Sequence, residues 1–170
     1  MKQIIALLAI YIYSHASVLD FITLQSDFTQ TLNSNDKKAN YSGKFYIKNN
    51  NEALWIYKKP NPKKIYFTNS KIIMIEDELE QAIISNFNEN INLSEILLNA
   101  KKITDSLYEA DFQNTKYKIT IKENLPFNIS YEDKLGNKID ITLSNVVKDK
   151  EISQDILTPK IPNGYDIITQ

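Results

Sequence analysis

The chain of 170 residues has no cysteine and no arginine, a single histidine (His15), and only three glycines. Each scarcity closes off chemistry. Without cysteine there is no disulfide, no thiolate nucleophile and no N-terminal thiol to lipidate. His15 lies in a targeting segment, so the processed chain is expected to carry no His, Cys or Arg. That excludes Ser–His–Asp and Cys–His catalysis and zinc sites built on His or Cys. The scattered glycines exclude a phosphate-cradling loop. All 20 basic residues are lysines, set against 21 acidic residues for a net charge of −1. No basic face is implied, so no nucleic acid partner is expected. Carboxylates, lysines, hydroxyls and tyrosines remain, and no cofactor or metal is expected.

The chain is also short of long apolar runs. Lys2 precedes an apolar stretch from Ile4 to Ile12, too short to span a bilayer. Ser14-His15-Ala16 then fits the small-x-small pattern of a cleavage site. The competing reading is a buried first helix or strand. The polar turn and amphipathic segment that follow favour a signal peptide over residues 1–16, cleaved near Ala16. A single exported, soluble domain is expected over 17–170.

What is present is apolar and aromatic sequence with regular punctuation; 42% of the residues are hydrophobic, enough for a packed fold. From Gly43 to Ile84, polar clusters at Asn49–Asn51, Lys58–Pro62, Asn69-Ser70 and Glu76–Glu78 separate β-branched and aromatic runs. These read as five short strands with no room for crossover helices, hence a local antiparallel meander. Upstream, Val18–Gln25 is expected as a short amphipathic helix that buries Leu19, Ile22 and Phe21. Ser26–Leu32 is expected as a strand with Phe28 and Leu32 on different registers, and Asn33–Asn40 as a polar loop. Downstream, Ile91–Ile103 shows helical spacing at Leu93, Ile96, Leu97, Ala100 and Ile103. Asn92 and Glu95 suit its start, and Lys101-Lys102 its end. Tyr108–Phe112 leads into three alternating strands with apolar sets Tyr117/Ile119/Ile121, Leu125/Phe127/Ile129/Tyr131 and Ile139/Ile141/Leu143. Asp133–Asn137 is a hairpin turn, Ile152–Leu157 a helical turn, and Gly164–Ile168 a last edge strand. About ten strands and two or three helices predict a mainly β fold, a curled sheet or incomplete barrel.

Three groups of residues are candidates for function. Phe45, Ile47, Trp55, Tyr57, Ile65, Phe67, Ile73 and Ile75 are suited to lining an apolar cavity, although ordinary packing explains any one of them. Strands 53–57 and 72–75 are apolar on both faces, so a helix or a partner is expected to cover them. Glu76, Asp77, Glu78 and Glu80 have the chemistry for glycoside hydrolysis or calcium, or form a solvated turn. Lys58-Lys59 and Lys63-Lys64 suit anionic headgroups or an acidic partner, or solubilise a hairpin tip. The helix at 91–103 plugs one mouth of the barrel or lids a cavity.

Several motifs resemble the LolA family of outer-membrane lipoprotein carriers. They are Phe28-Thr29-Gln30, Gly43 opening a strand, Trp55-x-Tyr57-x-x-Pro60, the run Ile72–Ile75, Glu80-Gln81-Ala82, Leu157-Thr158-Pro159 and Pro162-x-Gly164. Their order spans nearly the whole processed chain. The resemblance implies an open antiparallel half-barrel with a helical lid (Leu93, Ile96, Leu97, Ala100) over a cavity that includes Phe28. It implies a periplasmic carrier of acylated lipoproteins that catalyses no reaction. Its partners would be an inner-membrane lipoprotein-releasing transporter and an outer-membrane acceptor, and it would act as a monomer. Asn49 stands where the family has an arginine that ties the lid shut. The alternatives are a lipid-binding or envelope-sensing domain of the same fold, and a carboxylate-dependent hydrolase using Glu76 or Glu78.

Overall fold

A computed structural model describes residues 17–34, 37–86 and 93–170. The expected signal peptide and the capping position Asn92 lie outside these residues. Twelve strands form one open sheet, whose lateral order runs β12-β6-β5-β4-β3-β2-β1-β11-β10-β9-β8-β7. The first half is the meander: β1 (Thr23–Ser34), β2 (Lys37–Lys48), β3 (Ala53–Lys59), β4 (Lys63–Phe67), β5 (Lys71–Glu76) and β6 (Gln81–Asn86). After a short helix α1 (Leu93–Leu98), the second half comprises β7 (Lys101–Lys102), β8 (Leu107–Phe112), β9 (Thr115–Lys122), β10 (Leu125–Glu132) and β11 (Lys138–Lys148). The halves join where β11 pairs antiparallel with β1. A last helical turn α2 (Gln154–Leu157) and edge strand β12 (Asp166–Thr169) complete the chain. β12 pairs with β6 in parallel, whereas each remaining neighbour pair is antiparallel.

Strand periodicity sorts side chains onto two faces. The concave face carries the larger core, which includes Leu24, Phe28, Phe45, Ile47, Trp55, Tyr117, Ile119, Ile129 and Ile141 together with Leu93, Ile96 and Leu97 of α1. The convex face of the meander carries a second core of Leu54, Tyr66, Ile75 and Ala82 beneath Ile152 and Leu157. The two-faced apolar strands are thus covered on the outside by the chain's own C-terminal segment. Ser153 caps α2 by accepting from the Asp155 amide at 3.4 Å. Gln154 fastens the segment down, donating to Glu52 at 3.1 Å and accepting from Lys48 at 2.9 Å.

Several expectations are corrected. Residues 17–22 form a turn, and Thr23 already belongs to β1. The Ser17 amide donates to the Asp20 carboxylate at 2.9 Å and the Asp20 amide to the Ser17 carbonyl, which sets a turn in place of a helix. β1 then pairs along both of its edges, a larger gain than two isolated helical turns. Leu19 and Phe21 are buried, but Ile22 is 67% exposed. Phe28 and Leu32 share one face, both packing on the concave core. The expected loop at 33–40 is shorter, since β1 continues to Ser34 and β2 begins at Lys37. In β10 a register shift between Pro126 and Asn128 turns Phe127 outward, where Lys122 sits 5.5 Å from its ring. Helix α1 ends at Leu98: the Asn99 amide still makes a helical bond to the Glu95 carbonyl at 3.0 Å, with its side chain on the same oxygen at 2.9 Å, but the Ala100 amide steps back to the Leu97 carbonyl at 3.3 Å. That i→i−3 bond tightens and closes the last turn. Lys101-Lys102 accordingly pair with β8 as an edge strand.

Candidate functional site

The curl of the sheet leaves a hollow on its concave side. Its wide part, about 590 Å³, lies between β4–β6 on one side and β9–β10 on the other, bounded by Phe67, Met74, Ile83, Tyr117 and Tyr131. A smaller inner pocket of about 150 Å³ continues beneath α1, lined by Trp55, Tyr57, Leu93, Ile96 and Ile129. Ile65, Phe67, Tyr117 and Tyr131 border both parts. The wider volume lies in the range of small-molecule sites, which are mostly apolar with a few placed polar groups.

One wall is aromatic. The Phe28 ring meets Trp55 and Tyr57 edge-on at 4.9 and 5.1 Å, and Phe45 lies 5.1 Å from Trp55. Phe28 has this place because its cross-strand partner is Gly43. A Cβ at Gly43 would stand 2.8 Å from the Phe28 ring and collide with the Ile56 carbonyl. The Tyr57 hydroxyl donates to Gln30 Oε1 at 3.0 Å, so both ends of the Phe28-Thr29-Gln30 motif serve the hollow. Burial holds the Tyr57 phenol well above its ordinary range, raises Tyr117 to about 12, and raises Tyr131 as well. All three are neutral hydroxyls at pH 7.

Of the predicted cavity residues, Phe28, Phe45, Ile47, Trp55, Tyr57, Ile65 and Phe67 lie on the concave side. Ile47 is 0% exposed, so it supports the floor and does not border open space. Ile73 and Ile75 belong to the convex core. In an unbroken apolar run, composition does not fix the phase. Pairing with β4 places Met74 opposite Ile65, so Ile72 and Met74 face the hollow. The opposite wall, Tyr117 and Tyr131, was visible in the sequence only as apolar alternation.

Among the predicted lid residues, Leu93, Ile96 and Leu97 are buried in the concave core, with Ala100 packed at its margin. Asn49 donates its backbone amide to the Ile22 carbonyl. It shares a shallow surface depression with Leu98 at the end of α1. A polar contact to α1 comes from two residues further on: the buried Ser94 hydroxyl donates to Asn51 Oδ1 at 3.3 Å. Glu76, Asp77, Glu78 and Glu80 occupy the β5–β6 turn. There Asp77 pairs with Lys64 at 3.1 Å and accepts from the Tyr165 hydroxyl at 3.0 Å, and Gln81 donates to Glu76 at 2.6 Å. Lys63 lies 5.4 Å from the Tyr57 ring. Among the described residues, no group of three or more His, Cys, Asp or Glu is placed to hold a metal.

An open antiparallel half-barrel with an aromatic hollow under one helix defines a class: β proteins that enclose apolar ligands. The comparisons narrow it. Residues 20–110 match the family model described as outer membrane lipoprotein carrier protein LolA. The chain is 35% identical over 150 residues to the outer-membrane lipoprotein carrier protein of Campylobacter jejuni, covering 88% of each chain. It is 32% identical over 141 residues to that of Helicobacter pylori strain J99, covering 83% of this chain and 71% of the relative. In fold it is similar to an uncharacterized conserved protein from Thermus thermophilus, with a TM-score of 0.57 at 10% identity over 89% of this chain and 93% of that one. The chain belongs to the LolA family of outer-membrane lipoprotein carrier proteins.

Proposed function

We propose that residues 17–170 form one periplasmic carrier domain. It takes the acyl chains of lipoproteins into the hollow and delivers them to the outer membrane. The observation that carries this reading is the pairing of the apolar hollow with a helix that buries Leu93, Ile96 and Leu97 over it; family membership agrees with it. Shielding is a physical requirement for such cargo. Burial is worth roughly 0.8 kcal/mol per CH₂, so one long acyl chain in water costs on the order of 10 kcal/mol.

The reading extends to its partners. Cargo arrives from an inner-membrane lipoprotein-releasing transporter and leaves to an outer-membrane acceptor. The carrier acts as a monomer and catalyses no reaction. Its signal peptide is removed near Ala16, and the domain begins near Ser17.

Native mass spectrometry of the protein purified from the periplasm tests the reading. The expected result is a monomer starting near Ser17, with a fraction bound one-to-one to acylated lipoproteins. Protein that carries no acylated species, even from cells overproducing a lipoprotein, overturns it.

A further inference from the structure

Tyr117 stands where the two parts of the hollow meet, lining both. It is 1% exposed, and its hydroxyl has no hydrogen-bond partner among the described residues. Tyr57, in the same inner pocket, differs, since its hydroxyl donates to Gln30. A buried hydroxyl left without a partner is uncommon, because it loses water and gains nothing. The Tyr117 ring, 4.6 Å from that of Tyr131, fills its space as phenylalanine would. The hydroxyl adds only a donor and acceptor that no described residue uses. Burial raises the phenol to about 12, so at neutral pH it keeps its proton and can donate. Ile65, Phe67 and Ile129 beside it have no polar side chain, and Gln30, Tyr131 and Asp133, which line the same two parts, make no bond to it. A ligand can bring the partner. A plain hydrocarbon chain has no acceptor, but an ester- or amide-linked acyl chain has a carbonyl oxygen at its head.

We propose that the Tyr117 hydroxyl donates a hydrogen bond to the ester or amide carbonyl of a bound acyl chain, so that the hollow selects acyl over alkyl chains. The carbonyl would rest at the junction of the two parts, beside the Tyr117 ring. The proposal rests on the carrier reading and specifies how that site recognises its ligand.

Two probes separate the possibilities: a diacylglyceryl-cysteine peptide with two palmitoyl esters, and its dihexadecyl ether counterpart. Trp55 is the single tryptophan and lines the inner pocket, so its fluorescence reports occupancy. The wild-type chain is expected to bind the ester about two- to tenfold more tightly, the span of one neutral hydrogen bond. Tyr117→Phe should erase that preference, weakening the ester more than the ether, whose oxygen is the poorer acceptor, while leaving the melting temperature unchanged or raised. Equal wild-type binding of the two probes, or a preference that survives Tyr117→Phe, overturns the proposal and leaves the carrier reading standing. A lowered melting temperature in Tyr117→Phe also overturns it, since the hydroxyl would then have a partner inside the empty protein. Failure of both probes to bind overturns the carrier reading, and the proposal with it.

Discussion

The ring of Phe28 lies over the backbone of Gly43, its direct cross-strand partner. This contact sets the aromatic wall, because Phe28 in turn touches Trp55 and Tyr57. Gly43→Ala is expected to force the ring and β3 apart, at a cost of about 1–3 kcal/mol typical of overpacking. Chemical denaturation measures the loss, and Trp55 fluorescence should shift with it. A mutant as stable as the wild type would mean that the strands relax around the methyl group.

How much of this was legible in sequence depends on what kind of signal each element carries. The meander was legible because polar clusters interrupt Gly43–Ile84 at strand spacing. Its double apolar character also correctly called for a cover, found in Ile152 and Leu157. The phase of Ile72–Ile75 was not legible, since four apolar residues in a row present the same pattern in either register, and only pairing with β4 selects one. The outward turn of Phe127 depends on a bulge that alternation hides. The turn at residues 17–22 reflects β1 pairing with a strand over a hundred residues away, which no local window contains. Family membership was legible in the order of the motifs. The Tyr117 hydroxyl could not be singled out, because a missing partner is visible only in three dimensions.

Ile47 and Phe67 separate floor from wall. Ile47 is fully buried, whereas Phe67 is half-buried and borders both parts of the hollow. A carboxylate at position 47 has no access to water, so Ile47→Glu should cost about 4 kcal/mol or more and unfold the domain. A carboxylate at position 67 can turn toward the open trough. Phe67→Glu should keep its fold and lose about tenfold or more in acyl-ligand affinity, the worth of one aromatic contact. Thermal melts beside a binding titration decide the matter. Collapse of both mutants would show that the trough is a closed core.

The neutral tyrosines imply an alkaline limit. Tyr57, Tyr117 and Tyr131 hold their protons more tightly when folded, mainly through burial, than an unfolded tyrosine near 10 does. Their folded values are raised, so the stability they contribute is complete below about pH 10. It is lost as pH climbs toward the folded value, about 12 for Tyr117. Denaturant midpoints should therefore be flat through neutral pH and fall above about pH 10. Ultraviolet titration of the phenolates should show a late-ionising set that becomes ordinary in denaturant. A single transition near 10 in the folded protein would contradict these environments.

The proposed opening of α1 can be shifted from two positions. Ser94 is buried in α1, and its hydroxyl meets Asn51 at 3.3 Å, a neutral contact worth roughly 0.5–1.5 kcal/mol. Ser94→Ala removes that contact, and should loosen the closed form and speed amide exchange across Leu93–Leu98 by about twofold or more. Asn49, beside Leu98, allows the opposite change. An arginine there would reach the C-terminal carbonyls of α1 with charge-assisted bonds worth about 1.5–3 kcal/mol each, favouring the closed, empty state. Asn49→Arg should therefore lower cargo affinity and accelerate transfer to acceptor membranes, while Ser94→Ala should retain cargo longer. Asp20 and Asp149 border the same depression and compete for the new guanidinium. Off-rates measured for both mutants against one acyl ligand settle the competition. Opposite shifts are the expected result; an unchanged rate in Asn49→Arg would mean that the carboxylates hold the guanidinium away from the helix.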